Sequence, residues 1–109
     1  MVGPQDLIVQ IRAAFRAGQY EVSRHAAVRM LRRAIRSIEI EEAIAEAEII
    51  ERYPDDKYGP SVLRLGITRA GRPLHIQVAY ERLRIVTVYE PDPTEWVDWR
   101  YRRRPDHGD

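Results

Sequence analysis

Cysteine is absent from this sequence of 109 residues, and lysine occurs once, at Lys57. Without cysteine there is no disulfide framework and no thiolate metal site, and nothing points to an oxidising compartment. No stretch approaches the roughly 20 apolar residues needed to cross a bilayer. The opening, Met1 to Gln10, carries Asp6 and a short apolar run, unlike the basic and then long apolar layout of a signal peptide. The expected location is the cytoplasm, with no membrane partner. Also missing are a glycine-rich phosphate loop, a nucleophile-elbow serine and an HExxH helix. His25, His75 and His107 lie far apart in sequence, so neither a metal nor another cofactor is expected.

What is present is the chain of one domain, residues 1–109, with a single core. Hydrophobic residues make up 44% and charged residues 32%, so a folded globule is expected. The net charge of +1 conceals a division. Residues 1–36 hold seven arginines against Asp6 and Glu21, for +5; residues 37–56 hold eight acids against Arg52, for −7. Residues 57–90 return to +4 and 91–109 close at −1. A near-neutral protein with polarised surfaces follows. Of the 18 basic residues, 17 are arginine, whose planar fork suits phosphate and base stacking. Such a bias also tracks genome composition and heat tolerance, so the clustering says more than the count.

From Asp6 to Ala17 the residues Leu7, Ile8, Ile11, Ala14 and Phe15 recur at helical spacing, and Gly18 stops the helix. Tyr20 to Val22 is β-like, and Ser23 is an N-cap for a second helix to Ala34 with Ala27, Met30, Leu31 and Ala34 inward. Ser37 caps a third helix to Glu48, with acids in its first turn. The period then becomes alternating. Ile49 to Tyr53 reads as a strand, Pro54-Asp55-Asp56 as a turn and Lys57 to Pro60 as a loop. Val62 to Arg69 places Leu63, Leu65 and Ile67 on one face and Arg64, Gly66 and Thr68 on the other. After a turn at 70–73, Leu74 to Glu81 places Leu74, Ile76, Val78 and Tyr80 on one face, with His75, Gln77 and Ala79 opposite. A turn near Arg82 leads to a last strand, Arg84 to Glu90. The expected fold is α+β in two layers: N-terminal helices on one face of an antiparallel sheet, the other face barer. Asp92-Pro93 suggests a short C-terminal helix through Trp99, and the tail from Arg100 to Asp109 is expected to be mobile.

The second helix carries Arg24, His25, Arg29, Arg32, Arg33 and Arg36. His25, Arg29 and Arg32 or Arg33 fall on consecutive turns of one face, and like charges so placed repel unless an anion joins them. A phosphate backbone would do so; the structural alternative is pairing with the acidic third helix, most plausible for Arg32 and Arg36. His75 is expected beside Gln77 and near Arg64 and Tyr89 or Thr87, with Gly66 and Ala79 leaving room on that face. A histidine, an arginine and a tyrosine around a groove can cleave RNA without a metal. One group takes the 2′-hydroxyl proton, arginine steadies the phosphorane and an acid protonates the leaving 5′-oxygen. A lone histidine or tyrosine in a strand is more often structural.

The string from Ser23 to Ile35, SRHAAVRMLRRAI, resembles the opening motif of small prokaryotic domains of unknown function related to the RelE and BrnT toxins. Those domains are often encoded beside zinc-finger antitoxins of the YgiT or MqsA type. Tyr53-Pro54-Asp55-Asp56, Gly71-Arg72-Pro73-Leu74-His75, Val78-Ala79-Tyr80 and Val86 to Pro91 are similar to the rest of that family, so the resemblance spans about Tyr20 to Trp99. Ala34 stands where the family usually has glycine. The resemblance implies a RelE-like fold with a curled sheet, and a toxin that cleaves messenger RNA, on the ribosome or off it, and is silenced by an antitoxin protein. Its recurrent polar residues here are His25, Arg29, Arg33, His75, Tyr80 and Tyr89. The expected catalytic set is His25, His75, Arg29 and Tyr89, and Arg24, Arg33, Arg64, Gln77 and Tyr80 are expected to hold RNA. The alternative is a non-catalytic module that binds RNA or protein. An antitoxin strand is expected on the edge at Ile49 to Tyr53 or Arg84 to Tyr89, where a second copy could also pair.

Overall fold

A computed structural model describes residues 4–57 and 59–103, with side chains from residue 9 onward. The fold is α+β, with three helices and a mostly antiparallel five-stranded sheet. Helix α1 spans Pro4–Arg16 and buries Ile11, Ala14 and Phe15; Leu7 and Ile8, expected to point inward, lie outside the described side chains. After Gly18, at φ +71°, comes β1, Glu21–Val22.

Ser23 then performs three tasks. Its hydroxyl oxygen accepts the Ala26 N–H at 3.0 Å, its O–H donates to the Val86 carbonyl at 2.8 Å, and its N–H donates to Ile85. The cap of helix α2, Arg24–Arg33, is thereby bolted to strand β5, Arg84–Tyr89. That bolt fixes the rotation of the helix. Ala26 is fully buried and Met30 packs on the core, whereas Ala27 is exposed and Leu31 is 84% exposed. Met30 is thus inward as periodicity suggests, but Ala26 takes the place of Ala27, and Leu31 and Ala34 face outward. Ala34 ends α2 in the left-handed conformation, φ 52°, ψ 47°, a site where a β-carbon is mildly unfavourable and glycine usually sits.

Helix α3, Ser37–Ile44, begins one residue after its N-cap Arg36, whose N–H donates to the Glu39 carboxylate at 2.9 Å. It stops at Ile44, short of the expected Glu48, because Glu48 already opens strand β2, Glu48–Tyr53. Strands β3, Ser61–Ile67, and β4, Pro73–Ala79, complete a sheet ordered β1-β5-β4-β3-β2. Only β1 and β5 run parallel. Strand β1 occupies the β5 edge at Arg84 and Ile85, and β2 is the outermost strand at the other side.

Cross-strand partners share a face, so register decides what the helices cover. Arg64 pairs with Ile76 and Gly66 with Leu74, while Leu65 pairs with His75 and Leu63 with Gln77. Leu74, Ile76, Val78, Ile85 and Val88 form the core with Ile11, Phe15, Ala26, Ile35, Ile40, Ala43 and Ile44. Arg64 and Gly66 therefore lie beneath the helices. This corrects two expectations: Arg64 is not beside His75, and Gly66 does not open the His75 face. Arg64 is fully buried, so the RNA contact expected of it is out of reach.

The Arg64 guanidinium donates to the Ala47 carbonyl, but its Nε and Nη1 protons find no acceptor among the described residues. Burial, and then the neighbouring Arg12 cation, push its pKa down to about 10. A buried cation without a carboxylate is a liability that an apolar side chain of similar length removes. Arg64→Met is expected to raise unfolding stability by about 1–3 kcal/mol, whereas Arg64→Ala, which leaves a void, should not. Urea denaturation followed by circular dichroism checks this; a lower midpoint for Arg64→Met would show that the charge is compensated.

Among the described residues, none after β5 is helical. Pro91 to Glu95 turn, and β6, Trp96–Val97, pairs with β7, Tyr101–Arg102, as a two-stranded ribbon. Trp96 is 3% exposed and packs on His75. The hydrophobic demand of that indole brings the segment down on the supposedly barer sheet face. At the start of the tail, Arg100 pairs with Glu48 and Arg102 with Glu51; Arg104 and His107 lie outside the described residues.

Candidate functional site

Helix α2 runs beside the β5 edge, so a row of its side chains reaches the sheet face opposite the helical layer. His25 Nε2 is 3.1 Å from the Thr87 hydroxyl. One turn on, the Arg29 guanidinium lies 5.5 Å above the Tyr89 ring, a cation–π arrangement. Arg33 follows at a recess formed with Arg72, Glu90, Pro91, Asp92 and Pro93. At the N-terminal end, Ser23, Arg24, His25, Arg84 and Val86 line a cleft of roughly 210 Å³. Val86 is the extra residue of a β-bulge: Gln77 pairs with Thr87 and Val78 with Ile85, leaving it without a partner on β4. Such bulges re-aim neighbouring side chains.

Among the described residues, Arg24, Arg29, Arg32, Arg33 and Arg84 form no ion pair, and of the arginines from Arg24 to Arg36 only Arg36 reaches an acid of α3, Glu39 at 3.8 Å. The acids of α3 are engaged elsewhere: Glu39 by Arg72, Glu41 by the Tyr20 hydroxyl and Glu42 by the Arg69 N–H. The basic face of α2 is therefore a cationic strip without ion pairs among the described residues, with His25 in its midst and Asp92 close enough to Arg33 to feel its charge.

His75 is fully buried. Its Nε2 lies 2.6 Å from the Trp99 carbonyl and must donate to it, because a carbonyl only accepts. Nδ1 is then the acceptor, and the Tyr89 O–H donates to it across 3.2 Å. The Trp96 ring stands edge-on at 4.4 Å. Burial holds the His75 pKa below its ordinary value against opposing help from the Trp99 carbonyl and Glu51. Burial likewise raises that of Tyr89. Both ring nitrogens of His75 are thus occupied, one by the Tyr89 hydroxyl and one by the Trp99 carbonyl. This burial removes His75 from direct contact with solvent.

A histidine whose folded pKa lies below its unfolded value resists protonation in the folded state, so the unfolded chain binds more protons in that window. Stability is expected to fall as pH drops below about 6.5, before the carboxylates titrate near 4.5. His75→Gln should flatten that upper limb; an unchanged pH profile of the melting temperature would contradict the assignment.

The remaining expected residues are placed apart. Gln77 is on the His75 face but donates to the Ser61 hydroxyl at 2.9 Å. Tyr80 packs against the core with its N–H on the Pro60 carbonyl. The structure thus gathers His25, Arg29, Tyr89 and His75, with Arg24 and Arg33 alongside on α2, and leaves Arg64, Gln77 and Tyr80 outside the group.

Several contributors escaped sequence reasoning. Glu51 accepts from Tyr53 and from the Arg102 fork at 2.9 and 3.1 Å. Burial alone would raise its pKa, but these donors outweigh it and hold the carboxyl below its usual range. The Arg102 guanidinium also covers the Trp96 ring at 4.7 Å. This chain of contacts supports His75 from below. Its only sequence signal was a tryptophan soon after Pro91-Asp92-Pro93 in a chain with two tryptophans. Among the described residues, no three metal-ligating side chains converge, and no helix is long and apolar enough to cross a membrane.

No curated protein and no solved structure matches this chain significantly. A family model does match residues 22–90, more than half of the chain, from β1 through the end of β5 and so including the whole α2–β5 edge. The chain belongs to the family defined by that model, the domain of unknown function DUF4258.

Proposed function

We propose that the α2–β5 edge binds single-stranded RNA and that the domain cleaves it without a metal ion, as the toxin of a toxin–antitoxin pair. The observation that carries this reading is the unpaired strip Arg24, Arg29 and Arg33 converging with His25, Thr87 and the Tyr89–His75 pair. Phosphates neutralise a cationic strip to which no described residue offers an ion pair. An imidazole is the side chain most often used to move protons near neutral pH. In the reaction His25 takes the 2′-hydroxyl proton and the 2′-oxygen attacks the phosphorus. The bond to the 5′-oxygen then breaks, and Tyr89, held by His75, protonates the leaving oxygen. The products are a 2′,3′-cyclic phosphate and a 5′-hydroxyl. Arg29 and Arg24 offset the charge of the phosphorane. An antitoxin would cover this strip and could add a strand at β2, the outer edge, since β1 and α2 occupy that of β5.

One observation favours a second reading, in which the domain only binds RNA: the Tyr89 proton points inward to His75. Labelled RNA, with and without ribosomes, separates the two. Cleavage is expected to fall at least about a hundredfold in His25→Ala, with RNA binding kept. Arg29→Ala should weaken binding on every sequence and reduce its salt dependence by about one released counterion. Binding without any cut product leaves the second reading; no binding at all sinks both.

A further inference from the structure

Beyond the basic strip, the ribbon carries exposed aromatics that no part of the fold uses. Trp96 and Arg102 are cross-strand partners facing the sheet, so Val97 and its partner Tyr101 face away from it. Val97 is 41%, Trp99 37% and Tyr101 66% exposed. Asp98 and Trp99, at the tip, both hold left-handed backbone, φ 53° and 58°. Two successive non-glycine residues there are strained and persist only where the surroundings enforce them. Here the Trp99 carbonyl is fixed by His75 and Arg100 by Glu48. The strained turn therefore sits on a rigid base joined to the candidate site by one hydrogen bond.

Two of the ribbon's three described arginines are paired with carboxylates. Arg100 pairs with Glu48 and Asp98, Arg102 with Glu51, and the Arg103 guanidinium donates to the Pro93 carbonyl. What remains accessible is π-surface, not net charge. A phosphate finds only Arg103 without a carboxylate here, whereas a flat, uncharged heteroaromatic ring finds accessible aromatic faces. We infer that Trp99 and Tyr101 form a stacking platform for unpaired nucleobases of a strand whose phosphates lie on Arg24, Arg29 and Arg33. This rests on the RNA-binding reading and specifies its substrate class as single-stranded, because paired bases do not expose their faces.

The test uses the full chain and two probes of equal length, a short single-stranded oligoribonucleotide and the same backbone without bases, with affinities read by fluorescence anisotropy. Wild type is expected to prefer the base-bearing strand by about tenfold or more. Trp99→Ala should lose most of that preference while binding the abasic strand as wild type does; Trp99→Phe should retain it, and Tyr101→Ala should show a smaller loss. Circular dichroism verifies that each variant is folded. If Trp99→Ala and Tyr101→Ala bind the base-bearing strand like wild type while Arg29→Ala weakens it, the platform is wrong and the RNA reading survives. If wild type binds neither probe, both fall. Concentration-dependent dimerisation in analytical ultracentrifugation, lost in Trp99→Ala, would instead assign the aromatics to a second copy of the chain and overturn the inference.

Discussion

Gly66→Ala is expected to prevent this domain from folding cooperatively, or to lower its melting temperature by more than any other single methyl addition. A β-carbon at Gly66 would overlap the carbonyl oxygen of Ala43, and would lie 2.6 Å from the carbonyl carbon and 2.9 Å from the α-carbon of that residue. These are backbone atoms of α3, so no side chain can swing aside. The helix itself must lift from β3, and with it Ile40, Ala43 and Ile44, all at most 1% exposed. Overpacking of this kind costs about 3 kcal/mol or more, a large part of the 5–15 kcal/mol that typically holds a domain. On a chain of this size that corresponds to a fall of roughly 12–24 °C. Gly71→Ala is the control. Its φ of +87° penalises a β-carbon, but nothing lies within 4 Å, so only about 1 kcal/mol is expected. Thermal unfolding decides: if Gly66→Ala melts within a few degrees of wild type, α3 does not rest on β3 as described.

Arg72→Ala is expected to cost about 2–4 kcal/mol by removing one side chain that joins four parts of the fold. Its Nε donates to Glu90 at 2.8 Å, Nη2 to the Arg33 carbonyl at 2.8 Å and Nη1 to the Ala34 carbonyl at 3.0 Å, with Glu39 at 3.4 Å. The last carbonyls of a helix lack partners within it and carry the negative end of its dipole. Arg72 supplies both donors and charge there while neutralising Glu39 at the start of α3. The alanine variant leaves those carbonyls and the largely covered carboxylate uncompensated. Lysine restores the charge but not the fork, so Arg72→Lys should recover less than half of the loss. Urea unfolding should show a lower midpoint with an unchanged slope. A double variant with Glu39→Gln should lose less than the sum of the two single changes, because the two residues share a contact. Additive effects would refute the joint role.

The strands were legible because their signal is local. From Val62 to Glu90 the alternation of apolar and polar residues has a period of two, and β3, β4 and β5 fall within a residue or two of that reading. Ser23 was legible as a cap for the same reason, since capping is a matter of one side chain and the next three residues. The basic strip was legible as a spacing of four on a helix. Its freedom from ion pairs was not, because α3 could have supplied partners and instead directs its acids to Arg72, Tyr20 and Arg69.

Three features depended on contacts between segments far apart in the chain. Alternation separates Arg64 from Leu63 and Leu65, and His75 from Leu74 and Ile76, but does not say which face of β3 joins which face of β4 or which face the helices take. That follows from the register of β3 on β4, where a slip of one residue exchanges the faces, and from Gly66 being the residue that lets α3 approach. The inward stripe of α2 was set by Ser23 reaching Val86, 63 residues away. The ribbon after Pro93 formed where local rules suggested a helix, because burying Trp96 against His75 outweighed the weak propensity of a short segment. The sequence by itself therefore determined the order and type of most elements and the cationic face of α2, since those are encoded within a few neighbouring residues. Only the tertiary structure decided which arginine is buried, that His75 serves Tyr89 instead of facing solvent, and that an exposed Trp99 stands beside them, because register, helix rotation and the covering of a sheet face are properties of packing.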